Sequence, residues 1–273
     1  GIFNSRTGIN DTNVFSVGTD ITRGVDPING SIQKLYAEDT NLIIFQEKKV
    51  SNALIDKDAI FTAEGQSLTT SGIQVIGQVR AYAGNFGISK NPESFAIYGT
   101  RKYFTDKDRN AVLRLATDGI TEISNYGMID FFRDEFGQLN GGKIIGGWDI
   151  YNKQYVVSIQ ANSTVIPYKT ISFDEQVKGW TSLYSYKPAS SISLKSKFYT
   201  AGPTTKEAND SGALYQHYVA SQPRSYFYGA QYDSSVEFVF NPKVSMSKVF
   251  KTINYEGSNG WQVNSFVSDF TGI

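Results

Sequence analysis

Residues 94–124 read SFAIYGTRKYFTDKDRNAVLRLATDGITEIS, and they carry the clearest strand pattern in the chain. Four runs rich in apolar and aromatic residues, SFAIYG, RKYFT, AVLRLA and ITEIS, are separated by polar turn residues such as DKDRN and TDG. Each run is about four to six residues long, the usual length of a strand. Four such strands joined by tight turns predict an antiparallel sheet, as in one propeller blade. A meander in a barrel or a sandwich has the same order.

Strand patterns precede this stretch, and one helix pattern follows it. The strand patterns are SIQKLYAED (31–39), NLIIFQ (41–46) and IQVIGQVRAY (73–82). The segment GMIDFFRDEF (127–136) predicts a short α-helix, because apolar side chains recur there at helical spacing: Met128, Ile129, Phe132 and Phe136. We expect this helix to be a connector packed on a sheet.

Short aromatic strands recur along the chain. Examples are KYFT (102–105), KQYVVS (153–158), KFYT (197–200), VEFVFN (236–241) and KVFKTINYEG (248–257). Their irregular spacing of about 40 to 60 residues is compatible with propeller blades of about 40 to 50 residues. A single sheet cannot bury both of its faces, whereas stacked sheets can. We therefore predict an all-β fold of β-propeller-like stacked four-stranded antiparallel sheets, with a β-sandwich as the alternative.

Composition divides the chain at residue 30. Residues 1–30 are rich in Asn, Thr, Gly and Asp and end in the turn DPING, which predicts an extended arm. Residues 31–273 are predicted to form the propeller-like domain. The segment AGPTTKEANDSG (201–212) is predicted to be a long hairpin tip. The first residue is Gly, which either removal of an initiator Met or a missing preceding segment explains. The last residues, SFVSDFTGI, have a strand pattern, so we expect a part of a larger chain.

Charge and residue usage exclude several kinds of site. The 26 Lys and Arg residues balance the 26 Asp and Glu residues, so the basic excess typical of a nucleic-acid groove is missing. The chain has no cysteine, which excludes disulfides and thiol catalysis. The single histidine, His217, lies between aromatic residues and is interpreted as a packed strand residue rather than a catalytic base. No apolar run approaches the ~18 residues of a membrane-spanning helix.

Acidic residues supply only weak candidates for a metal site. Asp106, Asp108 and Asn110 begin like a calcium loop, but Ala111 and Thr117 replace the Gly and the terminal Glu of that motif. We interpret the segment as a solvated hairpin turn. Two further acidic pairs, Asp56 with Asp58 and Asp134 with Glu135, are likewise interpreted as solvated residues rather than metal ligands.

Two further patterns contain residue types that catalytic or ligand sites use. Asp149, Asp174 and Glu175 are carboxylates that a propeller-fold glycoside hydrolase could use, but nothing in their spacing places two of them at the required separation. GGKIIGG (141–147) lacks the phosphate-loop pattern and is interpreted as a turn before the next strand. We therefore predict no catalytic, cofactor-binding or metal-binding residue.

Two segments are dense in aromatic residues, WTSLYSY (180–186) and SYFYGAQY (225–232). They can pack in the core between sheets, or they can form a surface for a partner subunit, since Tyr and Trp are enriched at the centres of interfaces. Both interpretations stay open at the level of sequence.

Several long strings together resemble a known family. They are NGSIQKLYAEDTNLIIFQEKKVSNALIDKDAIFTAEG (29–65), GNFGISKNPESFAIYGTRKYFTDKDRNAVLRLATDGITEISNYGMIDFFRD (84–134), ISFDEQVKGWTSLYSYKPASSISLKSKFYT (171–200), FYGAQYDSSVEFVFNP (227–242) and FKTINYEG (250–257). They are similar to the tail nozzle or muzzle proteins of short-tailed bacteriophages of the crAss-like and marine types. The resemblance covers nearly the whole chain and carries no catalytic residues with it.

The resemblance implies a non-enzymatic structural component of the virion tail. It implies a homo-oligomeric ring around the genome exit channel, with other tail proteins such as the adaptor and the fibres as partners. The genome would pass through without specific DNA binding. The alternative function is a secreted propeller-fold module that binds glycans or hydrolyses glycosides.

Overall fold

The computed structural model describes residues 2–4, 8–11, 22–61, 67–163, 165–202 and 213–267, with the backbone alone at 2–4, 9–11, 56–61 and 67–74. The chain divides into two compact units, Gly1–Asp233 and Ser234–Ile273. Among the described residues, all the strands and the α-helix lie in the first unit.

Antiparallel strands make up most of the first unit. A short pair, β1 (Ile2–Asn4) and β2 (Ile9–Asp11), is followed by the first sheet, which contains β3 (Ile32–Glu38), β4 (Asn41–Gln46), β5 (Val50–Phe61) and β6 (Ser67–Ala81). The second sheet contains β7 (Ala96–Tyr98), β8 (Arg101–Asp106), β9 (Ala111–Ala116) and β10 (Gly119–Glu122). In both sheets each strand pairs with the next strand along the chain.

The helix α1 (Ile129–Gly137) leads to the third sheet, which contains β11 (Lys143–Asp149), β12 (Gln154–Gln160), β13 (Lys169–Asp174) and β14 (Gly179–Tyr184). The fourth sheet has three strands, β15 (Ser190–Leu194), β16 (Lys197–Ala201) and β17 (Leu214–Gln216). A last short pair consists of β18 (Tyr226–Phe227) and β19 (Ala230–Gln231).

The predictions for the central stretch are confirmed. Residues 94–124 supply the four strands of the second sheet, and α1 lies where the helical spacing predicted it. The turn between β8 and β9 contains the 3₁₀ segment Lys107–Arg109 and ends at Asn110, whose φ of 55° lies in the left-handed region that Asn tolerates. The chain is therefore mostly β, with several four-stranded antiparallel sheets and one α-helix in its described part.

Consecutive sheets pack against one another, and a hydrophobic core lies between each pair. Between the first and second sheets, Phe45 meets Phe104 edge to face, with ring centroids 5.1 Å apart. Between the second and third sheets, Tyr103 stacks on Tyr155 at 5.1 Å. Tyr103 and Phe104 are adjacent in β8 and point to opposite faces, so one strand supplies two cores. The third core includes Val156 and Phe198.

The helix α1 covers part of the core between the second and third sheets. Phe132 and Phe136 are buried, and the ring of Phe132 lies 4.7 Å from that of Trp180 on β14. The indole nitrogen of Trp180 donates a hydrogen bond to the carbonyl of Ile123, at 3.1 Å. The helix therefore has the connector role that the sequence predicted.

Two glycines in β11 allow the neighbouring sheets to approach closely. A Cβ at Gly146 would lie 1.9 Å from the carbonyl oxygen of Ser94, next to the second sheet. A Cβ at Gly147 would lie 2.0 Å from Oγ of Ser191, in the fourth sheet. The interpretation of GGKIIGG as a turn is therefore wrong for residues 143–147, which form the start of β11. These glycines are needed because a β-carbon would not fit on either face of the strand.

The segment DPING is fixed to the first sheet. Asp26 caps the 3₁₀ segment Pro27–Asn29 by accepting a hydrogen bond from the backbone nitrogen of Ile28, at 3.0 Å. The Gln46 amide donates to the carbonyls of Asp26 and Gly30, both at 2.9 Å. The arm proposed for residues 1–30 stays a prediction. Most of the proposed hairpin tip, at 203–212, lies outside the described residues, although the strands that flank it, β16 and β17, do pair.

The second unit has neither strand nor helix over its described residues, 234–267. The strands predicted at VEFVFN (236–241) and KVFKTINYEG (248–257) are therefore wrong for the single chain. A strand needs a neighbour to satisfy its backbone hydrogen bonds, and local composition cannot supply one. Large apolar side chains remain exposed in this unit: Val236, Phe238, Val239, Phe240, Val244, Val249, Phe250, Ile253, Phe266 and Val267.

Candidate functional site

The calcium-like segment connects the second sheet to a neighbouring loop. The carboxylate of Asp106 is fully buried, accepts hydrogen bonds from the Gly87 backbone nitrogen at 2.9 Å and from Ser89 Oγ at 2.8 Å, and pairs with Arg109. The interpretation as a hairpin turn is correct, but Asp106 is not solvated; only Asp108 is exposed. The carboxylate of Asp106 thus ties the second sheet to the loop that follows the first. Among the described residues, no three His, Cys, Asp or Glu side chains cluster closely enough to hold a metal ion.

The three carboxylates considered for glycoside hydrolysis have separate partners. Asp149 accepts hydrogen bonds from the Tyr218 hydroxyl and from the backbone nitrogen of Tyr151, and burial raises the pKa of its carboxyl. Asp174 accepts from the side chain of Gln154 at 3.2 Å and from its own turn.

Glu175 has a third set of partners, which lie in the second sheet. It accepts from the Tyr103 hydroxyl at 2.9 Å and pairs with Arg114 at 3.4 Å. None of these three carboxylates shares a hydrogen-bond partner with another of the three. The arrangement therefore ties strands and sheets together.

A small cavity of about 280 Å³ lies beside Glu175. Its polar lining is dominated by Arg114, whose guanidinium pairs with Asp118 at 2.6 Å and with Glu175, and also donates to Thr121 at 3.1 Å. Both carboxylates are therefore held by one cation. The other lining groups include Ile123, Tyr126, Phe173 and Lys178. This charge network joins the second and third sheets.

The only histidine is packed in the third core. His217 is 9% exposed and lies 5.1 Å from the ring of Phe198 and 4.8 Å from that of Tyr186. Its Nε2 lies 2.7 Å from Oγ1 of Thr200. Burial lowers the pKa of His217 to about 4, so the ring is neutral at pH 7. The aromatic segments 180–186 and 225–232 contribute Tyr186 and Phe227 to the same core, which supports the packing interpretation for these residues.

The described part of the chain also exposes an apolar surface on the fourth sheet. The outer face of the fourth sheet, defined by Ile192, Leu194 and Leu214, has side chains that are 56%, 57% and 65% exposed. The alternate side chains Ser191 and Phe198 point the other way, towards the third sheet. Exposed apolar patches of this kind mark interaction surfaces in soluble proteins. No helix in the described ranges is long and apolar enough to cross a bilayer.

Comparison with known protein families gives two matches. A family model described as "Crassvirus muzzle protein" matches residues 22–204, which is more than half of the chain and includes the first three sheets. A second, "Crassvirus muzzle protein C-terminal domain", matches residues 222–272. No curated protein matches the chain. Because the two matches follow one another along the chain in the order of the family, the chain belongs to the Crassvirus muzzle protein family and is a structural protein of the phage virion tail.

Proposed function

We propose that the chain is one subunit of a homo-oligomeric ring that surrounds the genome exit channel of the tail. The observation that carries this proposal is the family match over residues 22–204, which gives a structural role in the virion tail and supports a non-enzymatic one. Other tail proteins, such as the adaptor and the fibres, are the proposed partners. A ring of copies is the simplest assembly that encloses a channel, because identical head-to-tail contacts close on themselves when the rotation between copies divides a full turn evenly.

The packing of the sheets supports a propeller-like body for this subunit. The first strands of the second, third and fourth sheets are β7, β11 and β15. They lie next to one another, since β11 packs against both β7 and β15. In a propeller the corresponding strands of successive blades meet in the same way. Stacked sheets also bury one another's faces, which makes the wall stiff. We therefore include β-propeller-like stacking in the proposal.

The charge of the chain fits a wall past which DNA moves. Equal numbers of basic and acidic residues give a net charge of zero at pH 7. Tight binding to the phosphate backbone needs an excess of Lys and Arg, and it would hold the genome in place. We expect no measurable binding of double-stranded DNA at physiological salt in a filter assay. Tight binding under these conditions would contradict the proposed role of the wall.

The location and the ring can be tested on the virus itself. Gold-labelled antibodies against the chain should decorate the tail tip of intact virions, and electron cryomicroscopy of the tail should resolve a ring of copies around the channel. The density of each copy should accommodate the four stacked sheets. A single copy per tail, or a position that does not border the channel, would refute the proposal.

A further inference from the structure

In the described part of the chain, the fourth sheet has an edge without a neighbouring strand. It contains three described strands, whereas the first, second and third sheets contain four each. The His217 nitrogen donates to the Phe198 carbonyl and the Gly202 nitrogen donates to the Ala213 carbonyl, both at 2.9 Å, so the odd-numbered residues of β17 face β16. The backbone groups of Leu214 and Gln216 therefore point to the other side. Within the described ranges no strand pairs with that side of β17.

The second unit contains a segment that has the residues of a strand but no partner strand in the described chain. Residues 236–240, VEFVF, consist almost entirely of β-favouring residues but pair with no strand in the described chain. Val239 is 93% exposed and Phe238 is 67% exposed. The segment lies within the match to the family's C-terminal domain, at 222–272. A strand-forming segment with exposed apolar side chains is a typical donor for strand addition.

We propose that residues 236–240 of one copy add as a fourth strand to the β17 edge of a neighbouring copy. Leu214 on the acceptor is 65% exposed and Val239 on the donor is 93% exposed, so both side chains are accessible to a partner. One chain thus carries both an acceptor and a donor, which makes a second copy the matching partner. A head-to-tail contact closes into a ring when the rotation between copies divides a full turn evenly, and in that sense the inference rests on the proposed function.

Strand addition gives hydrogen-bond partners to the β17 edge and to the donor segment at the same time. The outward backbone groups of Leu214 and Gln216 gain hydrogen-bond partners, and so does the backbone of the donor. The added strand places alternate side chains on each face of the sheet. One set of these side chains extends the apolar outer face of the fourth sheet.

Cysteine cross-linking tests the contact directly, because the chain has no cysteine of its own. One full-length chain carries Leu214→Cys, and a second, differently tagged chain carries Val239→Cys. The two are mixed and treated with a short bis-maleimide. The control pair replaces the first chain with Val177→Cys, since Val177 and Leu214 are both 65% exposed. Docking raises the local concentration, so we expect at least about five-fold more heterodimer for the Leu214 pair.

Equal yields in the two pairs would overturn the inference. So would a chain carrying both substitutions that forms only an internal cross-link, because the strand would then pair within its own copy. Light scattering on full-length variants gives a second test. Val239→Glu should shift the chain to monomer, whereas Val165→Glu, at a site 87% exposed, should leave the oligomer intact. Identical oligomeric states for the two variants would also contradict the proposed pairing.

The outcome separates this inference from the proposed function. If labelling finds a ring of copies at the tail but Leu214 and Val239 do not cross-link, only the strand addition fails. If the cross-link forms but the chain is absent from the tail tip, the ring function fails and the pairing stands.

Discussion

Replacing Gly146 by Ala tests whether close approach of the second and third sheets is essential to the fold. The new Cβ would lie 1.9 Å from the Ser94 carbonyl oxygen and 2.5 Å from its carbonyl carbon. Ordinary contact distances are about 3.5 Å, so the two backbones would have to separate by about 1.5 Å. Ser94 cannot yield easily, because its carbonyl also accepts a hydrogen bond from the buried Tyr155 hydroxyl at 2.7 Å.

Overpacking in a core typically costs about 1–3 kcal/mol, and a clash with backbone should reach or exceed the top of that range. We therefore expect Gly146→Ala to lower the free energy of unfolding by ~3 kcal/mol or more, measured by urea denaturation. The matched control is Gly179→Ala in β14, where the nearest atom lies 3.8 Å from the new Cβ and the change should be below ~1 kcal/mol. If the free energy of unfolding of Gly146→Ala lies within ~0.5 kcal/mol of that of the native chain, the sheets do not approach as closely as described.

Two further predictions concern buried polar groups. Asp106→Asn places an amide donor among the donors from Gly87, Ser89 and Arg109, so the free energy of unfolding should fall by ~2–3 kcal/mol in urea denaturation. The exposed control Asp108→Asn should change it by less than ~0.5 kcal/mol. Equal effects of the two substitutions would show that Asp106 does not stabilise the contact between the second sheet and the loop. The folded-state pKa of His217, about 4, lies below the unfolded value. The stability that the neutral ring contributes is therefore complete above pH 6.5 and is lost as the pH falls towards 4. Between pH 6.5 and 5 the native chain should lose ~2 kcal/mol more stability than His217→Gln, and parallel pH profiles would contradict this.

Local patterns in the sequence were sufficient where neighbours in sequence are also neighbours in space. The second sheet is built from residues 94–124 alone, with hairpins that pair each strand with the next, so strand and turn signals predicted it. The helix α1 was predicted for the same reason, since its apolar stripe is a local property. The family resemblance was also present in the sequence and is confirmed by the family matches.

Sequence patterns misled where a residue's role depends on a distant partner. Gly146 and Gly147 have the composition of a turn, but their function is to admit Ser94 and Ser191 at the two faces of a strand. Asp106 looked like a solvated turn residue, but loop residues about 17 to 19 positions earlier in the chain bury and bind its carboxylate. These contacts join different sheets, and a local pattern contains no information about them.

The mostly β character of the chain, the helix α1 and the membership of a tail-protein family follow from residue types and their order, so they could be predicted without the structure. The pairing of the strands became known only from the folded molecule. VEFVF has every local feature of a strand and pairs with none in the described chain, whereas β17 has an edge with no neighbour there. A strand is completed by hydrogen bonds to another strand, and the position of that other strand is a property of the folded or assembled molecule.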